Sequence, residues 1–374
     1  MQTVMQKLIA WIVSILSLLG PWRIPAAEPV PAPDYAALAG AEADWLWEQQ
    51  LPNGAFAFRA EENGEVSVNP YFACFTAVAL TTYDGSPEAG ERIRRYIEWH
   101  FDHLNTVEAD PNGLAGTIFD YRVTVENGAV IAEEPTGDYD STDSYAALFL
   151  VLLRDYAARF GDTALLTENA ARIRQVAEVI FATMEKGYSY AKPGYRMMYL
   201  MDNCEVFAGL SAAVDLGEII GDEELKTKAE NAVSCYRKHF LRDWYRNGRF
   251  RWAMAPDKYG IFREEDFSRD KFYPDAAAQL YPFLWGVIPA DSLTAKRVYA
   301  SFCKNWKWET MDYRAEGGFY WGALALAAAK MGDADRLNGW LAEYEEAVSP
   351  DRAYPLYCFD SAIALMSLVT AARE

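Results

Sequence analysis

The sequence predicts an all-α protein, an (α/α)6 barrel or six-hairpin toroid with short β-hairpin loops at its mouth. Two observations predict it: six runs that are apolar on every side, each opening on a polar or acidic residue, and six amphipathic segments that alternate with them. A helix apolar all round must be enclosed by protein, whereas an amphipathic helix shows one face to water. Strict alternation therefore reads as inner helix against outer helix. An irregular helical bundle or an α-solenoid is the competing reading, since repeated helix pairs also build solenoids.

The first residues stand outside the pattern. Leu8 to Leu19 is an apolar run too short to span a bilayer comfortably, with Lys7 before it and Pro25-Ala26-Ala27-Glu28 after it, which is a signal-peptide profile. Residues 1–28 are accordingly read as a signal peptide or N-terminal anchor, and 29–374 as a single barrel domain. This implies a secreted or cell-envelope protein that meets a membrane only through an uncleaved N-terminal segment. No linker or charge block divides the rest, so one large closed domain fits better than two.

The inner runs open at Asn69, Asp140, Asp202, Pro274, Glu316 and Tyr357. The outer segments are the stretch around Trp45, then 89–101, 168–181, 222–240, 292–306 and 334–348. Before the inner runs lie long loops. Pro52 to Val68 reads as two short strands around Asn63-Gly64, a hairpin signal. Gly187 to Asn203 and Arg246 to Asp275 carry Tyr188, Tyr190, Tyr195, Tyr199, Trp252, Tyr259, Phe262, Phe267, Phe272 and Tyr273 toward the mouth. Sugar rings stack on such faces, and local packing between loops is the bland alternative.

Composition narrows the chemistry. Half of the 374 residues are hydrophobic, enough for a large core, and the net charge of −19 argues against nucleic acid and against acidic polymers held on a basic face. Neutral or cationic ligands fit better, although an acidic surface also simply aids solubility. Five cysteines, Cys74, Cys204, Cys235, Cys303 and Cys358, are odd in number, fall within predicted helices and lack metal-ligand spacing. Neither metal nor cofactor is expected. The three histidines, His100, His103 and His239, sit on outer segments, so imidazole is not the expected base.

Carboxylates cluster where inner helices begin. Asp138, Asp140 and Asp143 precede and enter one first turn, more acids than capping by Ser141 or Thr142 requires. Asp202 and Glu205, Asp275, Glu316 and Asp360 repeat the theme. Paired acids in an aromatic cleft suit glycosidic cleavage, one protonated to serve the leaving oxygen and one ionised to activate water. Capping or a hydrogen-bonded structural role is the alternative for any one of them; it is the set, converging on one end, that favours a sugar site.

Asp138-Tyr139-Asp140 followed by Tyr145-Ala146 resembles the Asp-x-Asp…Tyr-Ala start of an inner helix in glycoside hydrolase family 8, and the six-hairpin pattern resembles the six-hairpin glycosidases generally. The resemblance implies that Asp140 lines the cleavage subsite and that the reaction inverts, with carboxyls roughly 6.5 to 9.5 Å apart. The family's general-acid Glu-Gly sequence is absent: the corresponding helix opens Val68-Asn69-Pro70-Tyr71, with Glu65 upstream. Gln50 to Phe56 is similar to turns of α-toroid cyclases.

The expected function is exported hydrolysis of a neutral or cationic poly- or oligosaccharide. Asp140 comes first among the catalytic candidates, with Glu205 or Glu316 as proton donor and Asp143 beside them. Asn69, Tyr71, Asp138, Tyr145, Tyr199, Asp202, Trp252, Tyr273, Asp275, Trp321, Tyr357 and Asp360 are the candidate sugar-binding residues. A non-catalytic carbohydrate-binding or envelope-assembly protein is the second expectation, and a toroid lyase or cyclase, with Tyr195 and Arg196 as base and neighbour, the third.

Overall fold

A computed structural model describes residues 24–58, 64–311, 313, 318–349, 351–352 and 356–373. Outer helices are α1 (Tyr35–Glu48), α3 (Pro87–Asp102), α5 (Ala170–Thr183), α7 (Glu223–Trp244), α9 (Leu293–Asn305) and α11 (Ala334–Val348). Inner helices are α2 (Pro70–Tyr83), α4 (Asp143–Phe160), α6 (Leu200–Ile219), α8 (Tyr281–Leu284), α10 (Ala323–Met331) and α12 (Cys358–Ala371). Each inner helix contacts the next, and α12 returns to α2 and α1, so the ring closes and the solenoid reading fails. At the closure Glu42 of α1, fully buried, accepts from Tyr344 at 3.1 Å and from Ser361, and pairs with Arg352 at 2.7 Å.

Local chemistry sets the helix starts. The Asn69 side chain accepts from the Phe72 amide with Pro70 in the first turn, and Ser86 does the same for Ala89 ahead of Pro87. Asp222 caps Leu225 and Ser292 caps Ala295. Thr142 precedes α4 but makes no side-chain cap; its hydroxyl donates to the Ala191 carbonyl instead, and the Asp143 carboxylate takes the Ser144 amide. The inner helices α4 and α6 cross closely, because a Cβ on Gly209 would lie 2.5 Å from the Ala147 Cα.

Two inner starts differ from expectation. The run from Pro274 does not form one helix: a π turn (Phe272–Ala276), a 3-10 turn (Ala277–Leu280) and α8 follow one another. Pro282 has no amide proton and its ring crowds the carbonyl four residues back, which breaks a regular ladder there. The run from Glu316 becomes helical only at Ala323, because the Asp360 carboxylate holds the Tyr320 and Trp321 amides in a non-helical strap. Glu316 itself lies outside the described residues, as do 1–23 and Asn63.

The mouth carries short strands. β1 (Glu65–Val68), β2 (Tyr121–Glu126) and β3 (Ala129–Pro135) form an antiparallel sheet in that order. Val68 pairs with Tyr121, far along the chain, and the Phe58 amide donates to the Ser67 carbonyl at 2.7 Å; the turn of the hairpin suggested around Asn63-Gly64 falls on residues 59–63, outside the described ones. β4 (Met184–Glu185) pairs with β5 (Tyr188–Ser189), and β6 (Met198–Tyr199) pairs with the later segment Ala253–Pro256, which sets Trp252 beside Tyr199. The five cysteines are free. His100 is buried against Phe149, ring centroids 3.6 Å apart, and burial pushes its imidazole down to about 3.

Candidate active site

The first turns of α4 and α6 and the loops above them enclose a cleft of two lobes, about 570 Å³ and about 560 Å³. The lobes share Asp140, Ser141, Met201, Asp202 and Tyr273. One lobe continues over Asn69, Tyr71, Tyr145, Phe319 and Trp321; the other continues over Lys192, Tyr195, Tyr199 and Trp252. Asp140 is exposed on the shared boundary. Beneath it the close crossing of α4 and α6 stacks carboxyls inside a low-dielectric interior, where a second charge is costly.

Asp143 is fully buried. Its two oxygens accept from the Ser144 amide at 2.8 Å and from the Ser189 hydroxyl of β5 at 2.5 Å. Burial, with the Asp140 charge added, lifts its carboxyl to about 7. Glu205 is also fully buried; one oxygen accepts from the Tyr71 hydroxyl at 2.9 Å and the other has no hydrogen-bond partner. Burial, and then Asp143, hold its carboxyl well above the usual range. Asp202, at the cleft surface, is raised in the same sense by burial and by Asp143, Glu205 and Asp140. The result is an open carboxylate beside a partly sunken carboxyl that favours its proton.

Asp120 was not singled out by sequence. It stands one residue before β2, and the pairing of Val68 with Tyr121 puts it alongside Asn69, whose amide donates to it at 3.1 Å. The Tyr145 hydroxyl donates to the same oxygen at 3.1 Å. Burial lifts Asp120 to about 6 against those two hydrogen bonds, and Asp140 and Asp138 add to the rise. No helix start marks the residue, so its place was legible only through a strand register.

Other candidates lie apart from the cleft lining. Asp275 is fully buried; one oxygen accepts from the Ser268 amide at 2.7 Å, and Lys271 approaches the other at 3.9 Å. Asp360 is fully buried and accepts from Tyr320 at 2.7 Å and Trp321 at 3.1 Å. Asp138 is exposed, accepts its neighbour Tyr139's amide and lies 3.9 Å from Lys192. Tyr357 stacks on Phe58 at 4.6 Å beside the cleft. Of the loop aromatics, Tyr195, Tyr199, Trp252, Phe272 and Tyr273 line the lobes, whereas Tyr188 and Tyr190 are buried beneath them and Tyr259 projects into solvent. Among the described residues no group of three His, Cys, Asp or Glu is arranged to hold a metal.

No family model and no curated protein matches the chain. Solved structures do. A wild-type glycosidase aligns over 90% of this chain and 97% of its own, with a TM-score of 0.60 at 14% identity. The two share one fold, a closed toroid of paired helices. An α-amylase from Clostridium perfringens covers 91% of this chain and 99% of its own with a TM-score of 0.57 at 11% identity. A β-1,3-1,4-glucanase from Paenibacillus sp. X4 covers 92% and 95% with a TM-score of 0.53 at 10% identity. At such identities the likeness carries the architecture, and the chemistry must be argued from this chain's own residues.

Proposed function

We propose that the protein is a glycoside hydrolase acting outside the cytoplasm on a neutral or cationic glycan that lies across both lobes. Asp202 gives a proton to the leaving glycosidic oxygen, and Asp140 activates the attacking water. One observation carries the reading: Asp140 and Asp202 are the two acids common to both lobes, one exposed and the other raised by burial and by three neighbouring carboxyls. General acid and base roles need that inequality. Glu205, one of the two proton donors the sequence offered, lines neither lobe; it accepts from the Tyr71 hydroxyl, and negative charge on Glu205 or Asp143 pushes Asp202 toward its neutral form. The glycosidase, α-amylase and glucanase likenesses support the class, and the net charge supports a substrate without negative charge. The Asp-Tyr-Asp…Tyr-Ala motif supports inversion of the anomeric centre.

Reducing-end release from a panel of neutral and aminated polysaccharides, with Asp140→Asn and Asp202→Asn run beside the parent, tests the reading. Release that both substitutions abolish, with circular dichroism unchanged, is expected. Release that survives either substitution removes the assigned pair. Binding with no release from any member removes catalysis and leaves a carbohydrate-binding protein.

A further inference from the structure

The segment that follows the N-terminal apolar run is built into the barrel. Arg336 of α11 is 2% exposed, and its Nη2 donates to the Pro25 carbonyl at 2.8 Å while Nη1 donates to Asp333 at 2.7 Å. Ile24 packs, half-buried, against the hydrophobic core. Five residues on, the Asn338 side chain donates to the Val30 carbonyl at 3.1 Å and accepts from the Tyr35 hydroxyl at 2.6 Å. The small-residue pair that signal cleavage would use is Ala26-Ala27. A cut on either side of Ala27 would strip Ile24 and Pro25 from a surface they already fill, and would take the acceptor from a buried guanidinium, a costly loss for a charged donor.

The place of this contact in the ring also matters. Arg336 and Asn338 lie in the first turns of α11, directly after inner helix α10 ends, which is the pole opposite the inner helix starts. From there α1 climbs 14 residues, about 21 Å at 1.5 Å per residue, to the mouth. Ile24, the first described residue, therefore lies at the pole away from the cleft. The twelve-residue run Leu8–Leu19, with Trp11 within it and Lys7 and Arg23 outside it, has the composition of a membrane-seeking segment. The chain as a whole carries a net charge of −19, and the barrel offers nothing to an anionic lipid face, so only that segment can bring it there.

We propose that the N-terminal apolar segment is retained and holds the barrel at a lipid bilayer, with the cleft at the pole facing away from the lipid. The inference is independent of the hydrolase reading, since it rests on the docked leader and on polarity alone. The full chain, carrying a C-terminal tag and expressed in a bacterial host, tests it through intact mass and vesicle flotation. The expected result is a mass that includes residues 1–23 and a protein that floats with phosphatidylcholine vesicles at high salt. A mass beginning at Ala27 or Glu28 overturns retention. An intact chain that stays at the bottom of the gradient overturns the lipid partner.

Discussion

Acids at inner helix starts meet two fates on the two sides of this ring. Around α4 and α6 burial raises Asp143, Asp202 and Glu205, Asp143 adds to the rise of the other two and Glu205 to that of Asp202, with few backbone donors to satisfy them. Around α8 and α12, Asp275 and Asp360 each face a loop that turns its amides inward, and the carboxylate becomes a brace: Ser268 is held by one, Tyr320 and Trp321 by the other. Trp321, in a left-handed conformation at φ 59, is thereby presented to the cleft. The same sequence signal thus builds chemistry on one side and the aromatic wall on the other. What separates them is the supply of backbone N–H groups.

The comparison breaks most readily at the acid side. Asp140→Asn or Asp202→Asn should lower kcat by about 10²- to 10⁴-fold, the usual weight of a general acid or base, with the melting temperature nearly unchanged. On the brace side Asp360→Ala should do the reverse. It leaves two amides without their acceptor, at about 1–3 kcal/mol each, and the loss should appear as a lower denaturant midpoint before it appears in kcat.

Asp143 separates the sides by pH. Its folded carboxyl is raised to about 7, above its unfolded value of about 3.9. The folded state therefore holds the proton more tightly, and this residue's contribution falls as pH rises from about 4 through about 7. Asp143→Asn keeps a polar group for Ser144 and Ser189, so its melting temperature should gain on the parent's across that window and level off above it. A constant gap between the two curves would mean that Asp143 is as well satisfied as Asp360.

Smaller effects sharpen the picture. Tyr273→Ala removes a ring at the junction of the lobes and should raise KM by roughly 2- to 10-fold, as expected for about 0.5–1.5 kcal/mol of stacking. Glu205→Gln preserves the acceptor for Tyr71 and replaces a carboxyl already held neutral; its stability should change by less than about 1 kcal/mol. Activity retained in Glu205→Gln and lost in Asp202→Asn would fix the proton donor at the cleft surface.

The ring was legible in the sequence because alternating burial leaves a 3.6-residue trace on outer helices and none on inner ones. Asp140, Asp143, Asp202 and Glu205 were legible as a group because they sit at starts that the same trace locates. Their division of labour was not, since the turn that places Asp202 at the surface and sends Glu205 toward Tyr71 depends on the packing of α6 against α4. Asp275 and Asp360 looked identical to the others because no local pattern says which distant loop will offer its amides. Asp120 carried no signal at all until β1 and β2 were paired.

The fracture of the fifth inner run has a consequence for motion. Residues 272–284 change from π to 3-10 to α within 13 residues, whereas α4 and α6 run unbroken for 18 and 20. Interrupted ladders open at lower free energy than continuous ones. Amide exchange should therefore be fastest, among the inner elements, along the wall that bears Phe272 and Tyr273, and slowest beneath the acids. The cleft has a stiff jaw that fixes the carboxyls and a compliant jaw that carries the rings, so a polymer can be admitted and gripped without disturbing the spacing on which proton transfer depends.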